Sequence, residues 1–529
     1  MPVDANYLYT ALLSYNYFPM VKEHRDETPA LFSSESFDAD AADALVIAFN
    51  SLPKKHERRG SGFDQVEYRT TRFNNVSRRM NIPTPIGYAC LAQQLRDSWN
   101  ESELNRICEN PSSRIRPEQH EDGRAFRTGE YEDQFSGRVV VMGGDDAVTE
   151  AESLIAASMG KFYFVEADIS SCFPSIYTHS LPWALVGIAE AKRRKHDSSA
   201  WFNLLDKHQR MLKRNETLGV PVGPASSNIA CEVVLYPVDQ AMRDRGYVFT
   251  RHIDDYRAYT ETREQAEAFI RDLDRELSVY LLSINAKKLK IESLPRPLVA
   301  EWVLDLRARL PKTKKASIRA VTDYLDFAVS VNRHEPEGSV VKYATRAISG
   351  KLNRASVNMY CQYVLNLAVH VPVALPVLSE VVKGSSIKFA DSALQRTLAQ
   401  HVEYRRSDAI GWTLYIYQLT GAKMPKDAAK AIVNSGDCMG MAALLAIGKH
   451  EKLVKTFVEA LCSTDLYGLD RYWILLHELH RHDMLPRDGR FKKYIEETGL
   501  QLLKDRSVSF LNMTATADLG AAAVGGEDF

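Results

Sequence analysis

The sequence has no apolar run that approaches the roughly 18 consecutive residues that a membrane-spanning helix needs. Its N-terminal stretch also lacks the basic and apolar segments of a secretory signal peptide. We therefore expect a soluble, cytoplasmic protein with no membrane partner.

Cysteine and net charge are also scarce. The chain has 7 cysteines among 529 residues, and none is paired as CxxC, which indicates neither a zinc site nor a disulfide framework. Reduced cysteines fit a cytosolic protein. The formal net charge is −1, so the chain is not a globally basic nucleic-acid binder and any cationic surface must be local. Its length predicts two to four domains.

Two short strands folded over a tight turn are predicted around residues 248–259. Strand-forming residues mark both strands: Val248, Phe249 and Ile253 in the first, and Tyr256, Ala258 and Tyr259 in the second. Asp254 and Asp255 lie at the tip. On their own, two aspartates at a turn indicate only a polar turn. A third carboxylate from another strand end would favour a metal site instead.

Asp168 is that third carboxylate. It ends an aromatic and β-branched stretch at 161–169, which predicts a strand, and residues 170–174 then turn the chain into a helix. Phosphoryl transfer relies on metal ions that neutralise the attacking and leaving oxygens. Mg²⁺ prefers carboxylate oxygens held on rigid elements. Asp168, Asp254 and Asp255 would supply them.

Four segments, in order, resemble the motifs of a reverse transcriptase palm. They are Asp168-Ile169-Ser170-Ser171-Cys172-Phe173, the glycine-proline loop at 219–227, the turn His252-Ile253-Asp254-Asp255, and Leu282-Ser283-Ile284-Asn285-Ala286-Lys287-Lys288. Two positions depart from the family pattern. His252 replaces the usual Tyr, and Val222 stands where retroviral enzymes have Gln.

The resemblance implies a site. The metal set would be Asp168, Ile169, Asp254 and Asp255, holding two Mg²⁺ ions, with Mn²⁺ as the alternative metal. Lys288 would act with the three aspartates in catalysis, near the leaving pyrophosphate. Lys287, one residue earlier, is the alternative for this role, and an ordinary surface lysine is the other interpretation.

The nucleotide-binding set is also implied by the resemblance. Phe173 would lie under the sugar and exclude a 2′-hydroxyl, unless it is simply a core residue. Gly219, Pro221 and Gly223 would let the backbone approach a base pair. In the fingers, basic groups would hold the triphosphate. The arginines there are Arg114, Arg116, Arg124, Arg127 and Arg138, of which we expect Arg124 and Arg127 to contact the nucleotide.

A finer resemblance is to the abortive-infection group of bacterial, prophage-encoded reverse transcriptases, of which AbiK is the type. The segment Tyr177-Thr178-His179-Ser180-Leu181-Pro182-Trp183 carries it. The resemblance implies a nucleotidyltransferase that acts in phage defence. It would make single-stranded DNA from dNTPs with little or no template, like a terminal transferase. The DNA would start from the protein and stay covalently attached, and the protein would form homo-oligomers.

Four tyrosines near the N-terminus are priming candidates: Tyr7, Tyr9, Tyr15 and Tyr17. A phenol is more acidic than the hydroxyl of Ser or Thr, and a nearby cation lowers its pKa further. Their place on an N-terminal arm that could reach the cleft is the reason to choose them. The alternative is an amphipathic helix packed on the body of the protein.

Strand signals fade beyond residue 312, where apolar residues recur at helical spacing and Gly or Pro separates short helices. Stacked helix pairs, as in HEAT-like solenoids, fit this pattern. The predicted class is α+β: an arm and the start of the fingers (1–65), fingers and palm (66–311), an all-α repeat domain (312–510) and a flexible tail (511–529). A product channel in the helical domain would use Lys314, Lys315, Arg346, Lys351, Arg354 and Tyr360. The alternative is that these residues lie on ordinary solvated helix faces.

Two other functions stay open at this point. One is an RNA-templated reverse transcriptase, which differs in that RNA sets the product sequence. The other is an inactive palm that serves as a nucleic-acid-binding scaffold. The intact Asp168, Asp254 and Asp255 argue against the scaffold, since it has no need of a metal cluster.

Overall fold

The computed structural model describes residues 3–19, 28–71, 76–100, 104–115, 117, 127–128, 131–132, 147–336, 339–448, 450–461, 465–485 and 489–512. For 127–128, 131–132 and 147–150 only the backbone is described. The predicted tail therefore lies almost entirely outside the described residues.

The first part of the chain is mainly helical with one long hairpin. It contains α1 (Ala5–Thr10), a π-helical segment (Ala11–Tyr15), α2 (Ala39–Ser51), α3 (Glu57–Ser61), β1 (Gln65–Thr71), β2 (Ser77–Pro83), α4 (Pro85–Ser98), a 3₁₀ turn (Asn105–Glu109), β3 (Arg127–Thr128), β4 (Tyr131–Glu132) and α5 (Ala147–Ser158). The arginine-rich stretch at 66–81 is thus an antiparallel hairpin, with Gln65 paired to Pro83 and Thr71 to Ser77.

The central part forms a sheet with helices. It contains β5 (Tyr163–Asp168), α6 (Cys172–Ser175), α7 (Ser180–Val186), α8 (Ile188–Arg193), α9 (Trp201–Met211), α10 (Ala225–Asp244), β6 (Phe249–His252), β7 (Asp255–Thr260), α11 (Arg263–Val279) and β8 (Lys290–Ser293). The strands lie in the order β6-β7-β5-β8, all antiparallel. The predicted order of strand, helix, hairpin, helix and strand is confirmed.

The last strand of this sheet begins later than predicted. The sequence favoured a strand that contains Ile284, but Ile284 makes only an isolated bridge with Ile169, and β8 starts at Lys290. A turn at 285–288 separates the two, because the Asn285 carbonyl accepts the backbone N–H of Lys288 at 3.0 Å. Ile253 likewise lies in the β6–β7 turn and not in a strand.

Helix α11 covers the sheet, and its start is a confirmed prediction. Thr262 and Gln265 form a reciprocal capping box, in which the Thr262 side chain accepts from the Gln265 N–H. Apolar residues at helical spacing are buried on one face: Ala266, Phe269, Leu273 and Leu277. This face packs on β5 and β7, so it fixes the two strands that carry the aspartates.

The rest of the described chain is helical. It contains α12 (Glu301–Arg309), α13 (Ile318–His334), α14 (Val340–Ser349), α15 (Ser356–Ala368), a 3₁₀ turn (Pro372–Ala374), α16 (Leu375–Lys383), α17 (Asp391–Glu403), α18 (Ser407–Thr420), α19 (Lys426–Ser435), α20 (Cys438–Ala446), α21 (Glu451–Ala460), α22 (Leu466–Asp470), α23 (Trp473–Arg481), α24 (Gly489–Thr498) and α25 (Leu500–Asp505). Within the described part, none of the helices is long and apolar enough to cross a membrane.

From α13 to α20 the helices pack as neighbouring pairs. The pairs are α13 with α14, α15 with α16, α17 with α18, and α19 with α20, and each helix also contacts its counterpart in the next pair. This packing places Tyr360 in the core, where it is fully buried and its hydroxyl donates to the Thr345 carbonyl at 3.0 Å. Tyr360 was expected to line a product channel, and its burial makes that part of the prediction wrong.

The two ends of the chain share one core. The ring of Tyr17 lies 5.6 Å from that of Phe510, which in turn lies 4.8 Å from the indole of Trp473. Hairpin β1–β2 packs on α18, α20 and α23. A buried ion pair joins Arg58 to Asp470, with Nη1 and Oδ2 2.6 Å apart. The N-terminal segment is therefore packed between hairpin β1–β2 and the C-terminal helices.

Candidate active site

Three aspartates meet where β5 ends and the β6–β7 hairpin turns. Asp168 is directly paired with Asp255 in the register of β5 and β7. Asp254 occupies the turn between β6 and β7, and its carbonyl accepts the Ile169 N–H at 3.1 Å. Asp168 as a whole residue is 7% exposed. The sheet itself therefore brings together the residues that the two sequence motifs keep 86 positions apart (168 to 254).

The turn itself is strained. Ile253 has a φ of 58°, a conformation that is a genuine outlier for a β-branched residue and that glycine normally occupies in a two-residue hairpin turn. The guanidinium of Arg251 donates from Nη1 to the Ile253 carbonyl at 2.8 Å. This bond, together with the one from Ile169 to Asp254, fixes the backbone carbonyl just before Asp254 and the one between the two aspartates.

Arg251 belongs to a buried charge network that sequence reasoning missed. Its side chain is fully buried between Glu232 and Asp239 of α10, with ion-pair distances of 2.7 Å to each. Tyr256 also donates its hydroxyl to Asp239 at 2.9 Å. Burial alone would lower the pKa of Arg251, but the charges of Asp239 and Glu232 raise it well above its ordinary value. The network ties the hairpin to α10.

A signal for this network was present in the sequence. Side chains alternate between the two faces of a strand, so Arg251 points the same way as the buried Phe249. Glu232 and Asp239 are seven residues apart and thus lie on one face of α10. An arginine and two acids at inward-facing positions indicate a buried ion-pair cluster.

Lys288 and Asn285 hold the Asp168 carboxylate. The Lys288 ammonium donates to Oδ2 at 2.7 Å and the Asn285 amide to Oδ1 at 3.1 Å. The backbone N–H of Asn285 also donates to the Asp168 carbonyl at 2.7 Å. Of the two lysines left open by the sequence, Lys288 is thus the one whose side chain reaches this aspartate. The bond to Asp168 raises the pKa of Lys288.

The carboxylates repel one another. Burial first, and then the charges of Asp254 and Asp168, raise the pKa of Asp255 to about 6. Burial and the charge of Asp168 raise the pKa of Asp254 as well. Carboxylates crowded in this way are stabilised by a cation, and Lys288 is one that the chain itself provides. Arg78 of β2 is another cation close enough for its charge to act on Asp254.

The donor chemistry of this cluster fits a divalent metal ion. Carboxylate oxygens are what Mg²⁺ and Mn²⁺ prefer, and a bound cation would offset the burial and mutual repulsion that raise the pKa values of Asp254 and Asp255. In the described part of the chain, however, no three His, Cys, Asp or Glu side chains are already gathered into a metal site. The Ile169 side chain is buried, so only its main-chain carbonyl could join the ligands.

Phe173 and the glycine-proline loop form one unit. The Val220 N–H donates to the Phe173 carbonyl at 3.0 Å, and the Gly219 N–H to the Ile176 carbonyl at 2.7 Å. Gly219 has a φ of 81°, and a Cβ there would lie 2.8 Å from the Pro174 carbonyl oxygen. The loop therefore needs glycine to pack against the segment that carries Phe173. The Phe173 side chain is 9% exposed, at the edge of the core.

On its other side the loop contacts β2 and the N-terminal arm. The Asn81 N–H donates to the Val222 carbonyl at 2.8 Å, next to the buried Pro221. A Cβ at Gly223, which has a φ of 133°, would lie 2.8 Å from Cγ of Pro19. The structure thus brings Gly219, Pro221 and Gly223 together with Phe173. Arg124 lies outside the described residues, and only the backbone of Arg127 is described, in β3.

The four N-terminal tyrosines differ in access. Tyr9 and Tyr17 are buried, and their hydroxyls donate to Asp43 and to the Pro83 carbonyl, respectively. Burial raises the pKa of both phenols well above the ordinary value, which opposes nucleophilic use. Tyr7 and Tyr15 are half-buried. Priming stays a prediction, and the packing favours Tyr7 and Tyr15 over the other two.

A family model described as reverse transcriptase (RNA-dependent DNA polymerase) matches residues 98–322. The chain contains a reverse transcriptase domain. The matched range holds the three aspartates, Lys288 and the glycine-proline loop, and this reverse transcriptase domain supports a nucleotidyltransferase activity. It runs from the last residue of α4 into α13.

No curated protein matches the chain. Among solved structures, apo telomerase from Candida tropicalis is 10% identical, with a TM-score of 0.30 over 80% of this chain and 73% of that one. Telomerase from Candida albicans, in complex with a TWJ fragment of telomeric RNA, is 11% identical, with a TM-score of 0.29 over 78% of this chain and 71% of that one. Likenesses this weak support no conclusion about fold or function.

Proposed function

We propose that this chain is a DNA polymerase of the abortive-infection group of reverse transcriptases and acts in phage defence. It would link dNTPs into single-stranded DNA without an added template and start that DNA on one of its own tyrosines. The observation that carries the polymerase part is the pairing of Asp168 with Asp255, beside Asp254, at the end of a sheet within the reverse transcriptase domain. The heptapeptide at 177–183 supports the finer assignment.

In this proposal, Asp168, Asp254, Asp255 and the Ile169 carbonyl hold Mg²⁺ or Mn²⁺. When bound, the metal ions supply positive charge for the attacking hydroxyl and the leaving pyrophosphate. The chain contributes the rest. The hydrogen bond between the Ile169 N–H and the Asp254 carbonyl keeps the two strand ends in register, which positions the carboxylates before any nucleotide arrives.

Cations around the aspartates would bind the triphosphate. Lys288, at 2.7 Å from Asp168, is placed to give a proton or a hydrogen bond to the leaving pyrophosphate. Arg78, on hairpin β1–β2, is a further cation whose charge acts on Asp254. It would act in addition to the proposed Arg124 and Arg127. Phe173 would close the sugar pocket against a 2′-hydroxyl, and Gly219 and Gly223 keep the loop beside it free of side chains.

The helical region would hold the product. We propose that its stacked helix pairs are a HEAT-like solenoid and that single-stranded DNA follows its cationic surface. Lys314, Lys315 and Arg354 are exposed and suit this role, with Lys351 half-buried. Arg346 suits it less, because it pairs with Glu380 at 3.1 Å. Homo-oligomers would extend this surface.

Template use and priming are tested in one experiment. Purified protein is incubated with Mg²⁺ and all four dNTPs, without template or primer, and the product is run on a denaturing gel before and after protease treatment. We expect DNA that enters the gel only after protease. Synthesis that requires added RNA, and a product free of protein, would favour the templated reverse transcriptase that the family description names.

The tyrosine is then identified by mass spectrometry of the nuclease-digested protein. A nucleotide remnant on the peptide that contains Tyr7 or Tyr15 would support the proposal. Tyr15→Phe and Tyr7→Phe, each with the matched buried control Tyr9→Phe, would assign the residue. Loss of protein-linked DNA in either Tyr7→Phe or Tyr15→Phe, but not in Tyr9→Phe, is the expected result.

A further inference from the structure

A cavity lies away from the aspartates, among α7, α8 and α9. Its volume is about 450 Å³, which is within the range of small-molecule sites. It begins at Tyr177 and includes Trp183, so the heptapeptide at 177–183 forms one of its walls. The polymerase site uses none of the residues that line it.

One wall of the cavity is aromatic. The Tyr177 ring lies 5.0 Å from the imidazole of His179 and 5.8 Å from the indole of Trp183, in edge-to-face contact with both. Tyr177 and Trp183 are only half-buried, so each ring retains surface toward the cavity. Aromatic surfaces of this kind stack on nucleobases whatever the base sequence.

Beside these rings the lining is cationic, and the Lys192 ammonium lies 5.8 Å from the centre of the Trp183 ring. In the described part of the chain, no Asp or Glu forms an ion pair with Lys192, Lys195 or Lys207, and all three line the cavity. The neighbouring Arg194, in contrast, pairs with Asp197 at 2.7 Å. Burial first, and then the charges of Arg59 and Arg210, lower the pKa of Lys207. This surplus of positive charge would be neutralised by an anion.

A buried acceptor completes the cavity. Asp206 is 4% exposed, and its Oδ2 accepts from Arg210 at 3.1 Å and lies 2.8 Å from Nδ1 of His179. Its Oδ1 is buried and has no hydrogen-bond partner among the described residues. An unpaired buried acceptor is costly, so a ligand that brings an N–H donor to this oxygen would gain free energy.

We propose that this cavity binds a mononucleotide. The base would lie against Tyr177 and Trp183 and donate an amino or ring N–H to Oδ1 of Asp206. The phosphates would lie among Lys192, Lys195 and Lys207. This second site is independent of the polymerase reaction, although the backbone links the two: Thr178 donates to the Thr217 carbonyl at 2.8 Å, beside the glycine-proline loop.

The test measures binding where the aspartate site is disabled. Full-length Asp254→Asn protein in EDTA is titrated by calorimetry with each of the four dNTPs and four rNTPs. We expect one saturable site. Lys195→Met and Lys207→Met should each weaken binding roughly tenfold or more, the usual loss for one charge-assisted hydrogen bond. Trp183→Leu should weaken it as well. Lys430→Met, which removes a lysine whose side chain is 62% exposed on α19, should not.

Several results would overturn the proposal. One is the absence of saturable binding at millimolar nucleotide. Another is equal affinity in all the cavity variants, including the exposed Lys195→Met, for which misfolding is no explanation. If inorganic triphosphate binds as tightly as a nucleotide, the base contributes nothing to affinity and the proposed base contacts are wrong. If a short DNA or RNA strand binds more tightly than a mononucleotide, the ligand of this cavity is a nucleic-acid strand and the proposal is wrong. Because the assay needs no catalysis, its failure would leave the polymerase proposal untouched.

Discussion

Asp168 and Asp255 face each other as directly paired residues of two neighbouring antiparallel strands, β5 and β7. The backbone hydrogen bonds between the two strands are enough to bring the carboxylates together. No loop has to move to form the pair. Like charges this close disfavour ionisation. A cation bound beside these carboxylates would therefore favour their ionised form.

The first prediction concerns Asp255 and pH. Because its pKa is raised to about 6 in the folded state, the folded chain holds this proton more tightly than the unfolded chain. The contribution to stability is present below the unfolded pKa near 3.8 and is lost as pH rises through about 6. In metal-free buffer at pH 7, Asp255→Asn should raise the free energy of unfolding by on the order of 1 kcal/mol, since solvent screens a partly exposed group.

Urea unfolding at pH 7 and pH 4 measures this effect. The gain from Asp255→Asn should shrink at pH 4, where wild-type Asp255 is itself protonated. Nucleotide incorporation by the wild type should fall below pH 6 for the same reason, because a protonated carboxyl is a poor metal ligand. A gain in stability that does not depend on pH would show that the charge of Asp255 is not its cause.

The second prediction concerns Lys288. Lys288→Met removes the ammonium beside Asp168 and should lower the rate of incorporation by roughly 10²-fold or more, as for other groups that stabilise charge in the transition state. Lys287→Met is the matched control, because this exposed lysine neighbours Lys288 in sequence. Single-turnover kinetics with saturating dNTP would show the difference. Equal rates in the two variants would show that Lys288 does not stabilise the charge of the transition state.

The third prediction concerns Arg251. Arg251→Met leaves Glu232 and Asp239 buried without their shared cation, and the loss of such a partner costs about 3–5 kcal/mol. It also removes the bond to the Ile253 carbonyl. Arg257→Met, which affects a partly exposed pair with Glu166 at 3.7 Å, should cost at most about 1 kcal/mol. Denaturant midpoints of the two variants compare these costs directly. Similar midpoints would contradict the large stabilising contribution assigned to the buried Arg251 network.

The fourth prediction concerns the sugar. Phe173→Ala should admit ribonucleotides, because it opens space at the edge of the core beside the glycine-proline loop. The ratio of kcat/KM for dATP to that for ATP is the measurement. An active variant with an unchanged ratio would remove Phe173 from sugar selection and leave it as a core side chain.

Much of the palm could be predicted because its signals are local. Aromatic and β-branched residues mark β5, and the pair Thr262 and Gln265 marks the start of α11. The strand near Ile284 was placed too early because element ends depend on turns such as that at Asn285, which no periodicity reveals. Arg251 was missed because its partners, Glu232 and Asp239, are on a different element.

The closure of the chain on itself could not be predicted. Tyr17 and Phe510 are far apart in sequence but share a core, and Arg58 pairs with Asp470. Such contacts depend on the stacking of all the helices between them. They also change how the helical region must be tested. A truncation near 312 would expose the core of the N-terminal arm, so substitutions at exposed residues such as Lys314 and Lys315 are the proper probe.

The most direct test of the account is nucleotide incorporation by Asp254→Asn. Wild-type and variant proteins, shown by circular dichroism and melting temperature to be equally folded, are incubated with Mg²⁺ and radiolabelled dNTPs, and acid-insoluble label is counted. Loss of a metal ligand should cost several kcal/mol of transition-state stabilisation, or roughly 10³-fold in rate. We predict label with the wild type and none above background with Asp254→Asn. Near-normal incorporation by the folded variant would contradict the central claim.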